Sequence, residues 1–179
     1  MPHFLKILFV GSCIAILVSS CAATEEATSK SAAPASDVPA WFISSGFSSD
    51  SLAFHGYATA IEADSVIAIA NARLQAKATL ETALAKQLEE IREELGEGGN
   101  STVTQTDFIL TLRNAHQQVE EKASGSNGKA VQKEGHYLGY SRVSISKADF
   151  RSLMNSGFSG KNAYRSAFLE SAAFRNLVN

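Results

Sequence analysis

This sequence of 179 residues contains few cysteines and few prolines, and neither positive nor negative charge is in large excess. Its two cysteines are Cys13, inside an apolar stretch near the start, and Cys21, just after it. If that stretch is a cleaved signal, Cys21 is the only cysteine left, so we expect no disulfide and a fold that depends on its hydrophobic core. The 16 basic residues nearly balance the 18 acidic ones, so nothing indicates a nucleic-acid partner.

Recognisable catalytic and metal-binding patterns are also missing. His55, His116 and His136 stand alone, with no histidine or cysteine at the spacing of a zinc site. Residues 139–143 lack the second glycine of a nucleophile elbow, and residues 157–161 carry one end of a phosphate loop without the other. Since no acid–base or nucleophile constellation is present, we expect no enzyme, no cofactor and no metal.

The first 20 residues have the organisation of a lipoprotein signal peptide. His3 and Lys6 precede an apolar run over residues 7–18, which is shorter than the ~20 residues of a membrane-spanning helix. The motif V-S-S-C at residues 18–21 then fits a lipobox. We therefore predict cleavage before Cys21 and lipidation of that residue, the alternative being a signal cut elsewhere with Cys21 an incidental thiol.

Residues 21–38 form the predicted tether. They are mostly Ala, Thr, Ser, Glu, Lys and Pro, which cannot bury enough apolar surface to offset the entropy of ordering. Ala22 and Ala23 follow the lipidated cysteine, where an aspartate could signal retention in the inner membrane of enteric bacteria. We therefore expect attachment to the outer membrane through the acyl chains on Cys21.

Residues 39–179 are predicted to form a single α+β domain. Its central element is a long helix over residues 64–95, capped by Asp64 or Ser65 and ended by Gly96 together with Gly98, Gly99 and Asn100. The spacing of its apolar residues predicts one buried stripe. The members of that stripe are Ile67, Ala70 and Leu74 in the first half and Leu84, Leu88, Ile91 and Leu95 in the second.

The other elements are a small sheet and further helices. A mostly antiparallel, three-stranded sheet is predicted from residues 52–59, 129–133 and 137–145, with a loop at 124–128 and a turn at 134–135. Small residues at Gly56 and Ala58 would let the alanine-rich half of the long helix come close. Additional helices are predicted from Ser101 or Thr102 to Lys122, over residues 147–154, and over 162–178 within a C-terminal segment 160–179.

Two aromatic regions are candidates for packing or binding. Trp41, directly before Phe42 and after the polar tether, is interpreted as a packing anchor. His55, Tyr57 and Tyr140 could line a ligand groove, although a hydrogen-bonded sheet histidine is the simpler interpretation of His55. A deep pocket at these three residues would favour ligand binding, whereas a flat exposed apolar face would favour assembly.

Several of these segments resemble a known family. P-A-W at residues 39–41, G-Y-A at 56–58, the alanine-rich helix with A-N-A-R at 70–73, and the strand over 137–145 are similar to small bacterial outer-membrane lipoproteins typified by the Helicobacter surface lipoprotein antigen. Flagellum-associated lipoproteins look like relatives. The resemblance implies a non-catalytic component of the cell envelope and transfers no active-site residue.

The functional expectation follows from the anchor and this resemblance. We expect a lipid-anchored outer-membrane protein with a non-catalytic role in the assembly of the envelope, a flagellum or another surface structure. The alternative is a periplasmic module that binds a small ligand or peptide. Because Tyr164, Phe168 and Phe174 form a C-terminal stripe without an assigned partner, homo-oligomerisation through it is expected, the alternative being that it completes a monomeric core.

Overall fold

The computed structural model describes residues 37–179, except for the side chains of residues 124–126. The predicted signal peptide, Cys21 and all but the last two residues of the predicted tether lie outside the described residues. Within them, an antiparallel sheet and five helices form the α+β fold that the sequence predicts. The elements are β1 (Gly46–Ser49), β2 (Ala53–Glu62), α1 (Ser65–Glu97), α2 (Thr106–Lys122), β3 (Ser124–Lys133), β4 (His136–Ser146), α3 (Lys147–Gly157), α4 (Asn162–Phe168) and α5 (Ala172–Val178).

The sheet has four strands in the order β1-β2-β4-β3, one more than the sequence predicts. The additional strand, β1, pairs along the edge of β2. β3 begins at Ser124, so the predicted loop at 124–128 is wrong; its backbone pairs with β4, with an irregularity in register between Ser124 and Ser126. The predicted turn joins β3 to β4 through Glu134 and Gly135, whose φ angles of 42° and 87° suit a tight hairpin.

Helix α1 lies across one face of the sheet. Asp64 caps it as predicted, since its Oδ1 accepts hydrogen bonds from the amides of Val66 at 2.8 Å and Ile67 at 3.0 Å. The helix passes through Gly96 and ends at Glu97, with Gly98 as its C-terminal cap. The buried face consists of Ala68, Ala72, Ala76, Leu80, Leu84, Leu88 and Ile91.

The first half of the predicted buried stripe is therefore wrong. Ile67 and Leu74 are 51% and 66% exposed, whereas the alanines on the other side of the helix are fully buried. The reason is the close approach of α1 to glycines of the sheet. A Cβ on Gly56 would collide with the carbonyl oxygen of Ala76, and one on Gly139 with that of Ala68. Only small residues fit between the two surfaces there.

The second half of α1 packs with the other helices. Its buried leucines share a core with Phe108 and Leu112 of α2. Helix α2 starts at Thr106 instead of Ser101 or Thr102. The side chain of Gln105 does not cap it, and its Oε1 accepts a hydrogen bond from the hydroxyl of Tyr164 at 3.2 Å. Residues 101–104 form turns that bury Val103 completely.

The C-terminal segment folds back onto this helical core. The predicted helix over residues 162–178 is interrupted between Phe168 and Ala172, giving the short helices α4 and α5. Phe168 and Phe174 are 0% and 1% exposed. The stripe therefore packs within the chain, which favours the alternative that it completes the core over self-association through it.

Candidate functional site

The three predicted site residues lie on the face of the sheet opposite to α1. His55 and Tyr57 are on β2, and Tyr140 is on β4. Both tyrosines are buried, at 3% and 4% exposure, because the ring of Phe42 lies over them with centroid distances of 5.8 Å to Tyr57 and 4.9 Å to Tyr140. The tyrosines thus serve packing between the sheet and residues before β1, and their role in ligand binding stays a prediction.

The segment that covers this face, residues 37–42, is called the amino-terminal strap. Pro39 is buried in it, and the guanidinium of Arg142 lies 5.9 Å from the ring centroid of Trp41. At the start of the strap, Asp37 forms an ion pair of 3.2 Å with Lys133. Trp41 is partly buried and packs edge-on against Phe42, which makes the deeper contact with the sheet.

His55 joins two other side chains in a hydrogen-bonded row. Its Nδ1 lies 2.7 Å from Ser144 Oγ, and its Nε2 lies 2.9 Å from Asp50 Oδ2. The other carboxylate oxygen of Asp50 accepts the amides of Leu52 and Ala53 at 2.7 and 2.8 Å. The hydrogen bond from His55, followed by these amides, lowers the pKa of Asp50 to about 2.

This row has the order of groups found in hydrolytic triads, but each group has a local structural task. Asp50 closes the turn between β1 and β2, and Ser144 lies inside β4 opposite His55. A hydrolytic site requires, beyond the row, donors for an oxyanion and room for an acyl group. The geometry accounts for His55 as a hydrogen-bonded sheet histidine that ties the turn to the sheet.

A second feature is an exposed apolar surface on the first half of α1. We call Val66, Ile67, Ala70 and Leu74 the outer stripe, because they lie on the side of α1 facing away from the sheet. Val66 is 72% exposed and Leu74 is 66% exposed. Residues at this spacing are neighbours on a helix surface, and neighbouring exposed apolar side chains are a feature of association sites.

A third feature is the buried imidazole of His116 on α2. Its Nδ1 lies 3.2 Å from Glu120 Oε1, whereas its Nε2 is buried without a hydrogen-bond partner among the described residues. Burial lowers the pKa of His116, and the negative charges of Glu120 and Glu81 oppose that shift only in part. The neutral form of the imidazole is therefore favoured in the folded protein.

Replacing His116 with leucine is expected to remove a pH dependence of stability. Since the folded-state pKa is lowered, the unfolded chain binds the proton more readily, and stability present above pH ~6.5 is lost as the pH falls below it. In that window the free energy of unfolding of the parent should decline by at most about 1.4 kcal/mol per pH unit from this group. Urea denaturation between pH 5 and 8 measures it.

The matched control for this experiment is His136→Leu, at a less buried histidine where β4 begins. In the His136→Leu control, the free energy of unfolding should still decline below pH 6.5. In His116→Leu this decline should be smaller. An unchanged slope in His116→Leu would show that burial of this imidazole does not govern the dependence.

Within residues 37–179, no group of three or more His, Cys, Asp or Glu side chains is arranged to hold a metal ion. In the same part of the chain, no helix combines the length and hydropathy needed to cross a membrane. Comparison of the sequence with models of protein families and with curated proteins, and of the fold with solved structures, found no match.

Proposed function

We propose that this chain is a lipid-anchored outer-membrane protein with a non-catalytic role in assembly of the envelope, a flagellum or another surface structure. We further propose that it acts as a dimer of identical chains joined through the outer stripe. The exposure of Val66, Ile67 and Leu74 on one face of α1 is the observation that carries this proposal. The resemblance to outer-membrane lipoproteins and the lipobox at Cys21 support the location.

The outer stripe is self-complementary. Val66 and Leu74 lie four residues before and four residues after Ala70 on the same helix face. A two-fold axis at Ala70 would set two copies of α1 antiparallel, with Val66 of each against Leu74 of the other. The small side chain at the centre allows the two helix axes to approach closely.

Charges at the two ends of the outer stripe favour the same antiparallel arrangement. Glu62 and Asp64 precede the stripe. Arg73 and Lys77 lie towards its other end, where Glu81, at 3.4 Å from Lys77, offsets part of the positive charge. In an antiparallel pair the acidic end of one copy meets the basic end of the other, whereas a parallel pair would bring like charges together. The occupant that fits the surface best is a second copy of this chain.

The size of the outer stripe indicates a weak association in solution. A stable interface buries about 800 Å² on each partner, more than a few aliphatic side chains on one helix supply. Attachment of both copies to one membrane surface would raise their local concentration above that in solution. A small interface is therefore compatible with a lipid anchor, because the anchor would allow a weakly associating dimer to be populated.

Cysteine crosslinking in intact membranes tests this proposal. In full-length Ala70→Cys, two copies paired about the two-fold axis bring the new thiols within disulfide range, with Cα atoms about 4.4 to 6.8 Å apart. Mild oxidation should convert most of the protein to a dimer on a non-reducing gel. Cys13 leaves with the signal and the Cys21 thiol is acylated, so neither contributes to the crosslink.

Four further variants make the result specific. Gln75→Cys places a thiol at an exposed position off the stripe and should give little dimer. Leu74→Asp, added to Ala70→Cys, should abolish the crosslink, whereas Leu110→Asp, at a leucine on α2 that is 51% exposed, should not. Cys21→Ala should leave an unacylated, soluble or uncleaved protein. Equal crosslinking at positions 70 and 75 would refute the dimer through the outer stripe. Palmitate incorporation into Cys21→Ala would refute lipidation at Cys21.

A further inference from the structure

A cavity at the C-terminal end of the fold brings arginine side chains together. It has a volume of about 370 Å³ and lies between α3, α4 and α5. Arg151, Arg165 and Arg175 line it, one from each helix, together with the amide side chains of Asn155 and Asn179. The chain as a whole carries a net charge of −2, so this concentration of positive charge is a local property of the cavity.

The arginines are poorly neutralised by the side chains around them. Glu170 is the one acidic side chain that lines the cavity. Its Oε1 lies 3.9 Å from Arg165 Nη2, at the limit of an ion pair, and Arg165 Nε is buried without an acceptor among the described residues. A buried donor without a partner is unfavourable, and an anion in the cavity would supply the missing acceptor.

Arg151 is held in a fixed position. Its Nη2 donates to the carbonyl oxygen of Val178 at 3.1 Å and to Asn179 Oδ1 at 3.0 Å. These bonds attach the end of α5 to α3, and they use one of the two terminal nitrogens of the guanidinium. A guanidinium that is already positioned loses less conformational entropy when it binds a ligand.

The cavity also has an apolar wall. Leu169, Phe174 and Val178 line it. Since Phe174 and Val178 are only 1% and 4% exposed, the partly buried Leu169 supplies most of the apolar surface that a ligand could contact. Its volume lies in the range of about 300 to 1,000 Å³ that is typical of small-molecule sites and exceeds what an inorganic ion needs. Arginine recognises carboxylate and phosphate groups through paired N–H donors.

We propose that this cavity binds a small organic anion, with its carboxylate or phosphate group on Arg165 and Arg175 and its apolar part against Leu169. This site is separate from the outer stripe of α1, so it does not depend on the proposed dimer. The proposed ligand-binding residues, Arg165 and Arg175, belong to the C-terminal segment and not to the region around His55.

Calorimetric titration of the full mature chain in detergent micelles tests the site. The probes are phenyl phosphate, hexanoate and inorganic phosphate, each at low and at physiological salt. We expect saturable binding of phenyl phosphate or hexanoate, and whichever binds more tightly identifies the anionic group. Arg165→Gln and Arg175→Gln should each weaken that binding at least tenfold.

Matched controls separate a site from general charge attraction. Arg113→Gln removes the same charge from an exposed position on α2 and should leave affinity within twofold. Arg151 is left unchanged because it holds α5, and thermal melting confirms that each variant is folded. Absence of saturable binding, binding of inorganic phosphate alone, or equal weakening by Arg113→Gln would overturn the proposal. If Arg165→Gln fails to fold, the exposed Arg175→Gln decides the question.

Discussion

Gly56→Ala is expected to destabilise the protein by about 3 kcal/mol, the upper end of the usual range for overpacking, and to lower its melting temperature. The added methyl group would overlap the carbonyl oxygen of Ala76 and come within 2.9 Å of the backbone nitrogen of Leu80. Both atoms belong to the backbone of α1, so no side-chain rotation relieves the overlap. The helix would have to move away from the sheet, which would open the alanine contact along the first half of α1.

Circular dichroism during urea denaturation measures this effect. Gly98→Ala is the matched control, because its φ of −71° suits alanine and the nearest atom to the new Cβ is the Glu94 carbonyl oxygen at 3.3 Å. The control should change the free energy of unfolding by less than about 1 kcal/mol. If Gly56→Ala and Gly98→Ala were equally stable, the close contact between β2 and α1 would be wrong.

Phe168→Ala is expected to cost about 3 to 5 kcal/mol, the range for a large aromatic side chain removed from a core. Phe168 is fully buried, and its ring lies 5.6 Å from that of Phe108 and 5.7 Å from that of Phe174. Removing it leaves a cavity between α2 and the two C-terminal helices. The remaining rings cannot fill the cavity without moving these helices.

Leu110→Ala is the comparison for this experiment, since Leu110 lies on the same helix as Phe108 but is 51% exposed. It should cost less than about 1 kcal/mol. Thermal melting should place Phe168→Ala well below both the parent and this control. A small effect of Phe168→Ala would mean that the C-terminal segment adds little to the core and leaves its aromatic residues available for other contacts.

The prediction of the fold succeeded where a local pattern fixes the backbone. Asp64 before an unbroken run without glycine or proline predicted the start of α1, and Glu134 with Gly135 predicted the hairpin turn. β1 was not predicted, because a strand of four residues is too short to show an alternating pattern. β3 begins in a glycine- and serine-rich stretch, where pairing with β4 overrides a poor strand composition.

The buried face in the first half of α1 was assigned wrongly, because the hydrophobicity of the side chains and the space available to them favour different residues there. Periodicity assigns the larger Ile67 and Leu74 to the core, but the glycines of β2 and β4 leave room only for alanine. The sequence does contain a signal for the correct face, since Ala68, Ala72 and Ala76 continue the four-residue spacing of the leucines that begin at Leu80.

The candidate sites depend on contacts between distant parts of the chain. Ser144 lies 89 positions from His55, and no sequence spacing links them. Arg151, Arg165 and Arg175 belong to three helices. Their convergence follows from the break between α4 and α5, which the helical spacing over residues 162–178 did not predict. The histidine itself was predicted to be hydrogen-bonded in the sheet, because a polar ring between aromatic residues needs partners when it is partly buried.

The amino-terminal strap has a mechanical consequence. Any tension applied to the chain ahead of residue 37 enters the domain at Asp37 and reaches the sheet through Phe42. The Asp37–Lys133 ion pair and the Trp41 contact with Arg142 would carry the load first, before any strand is pulled from its neighbour. A pull of this kind would peel the strap away and expose Tyr57 and Tyr140 while the helical core stays folded, so the strap would yield before the domain does.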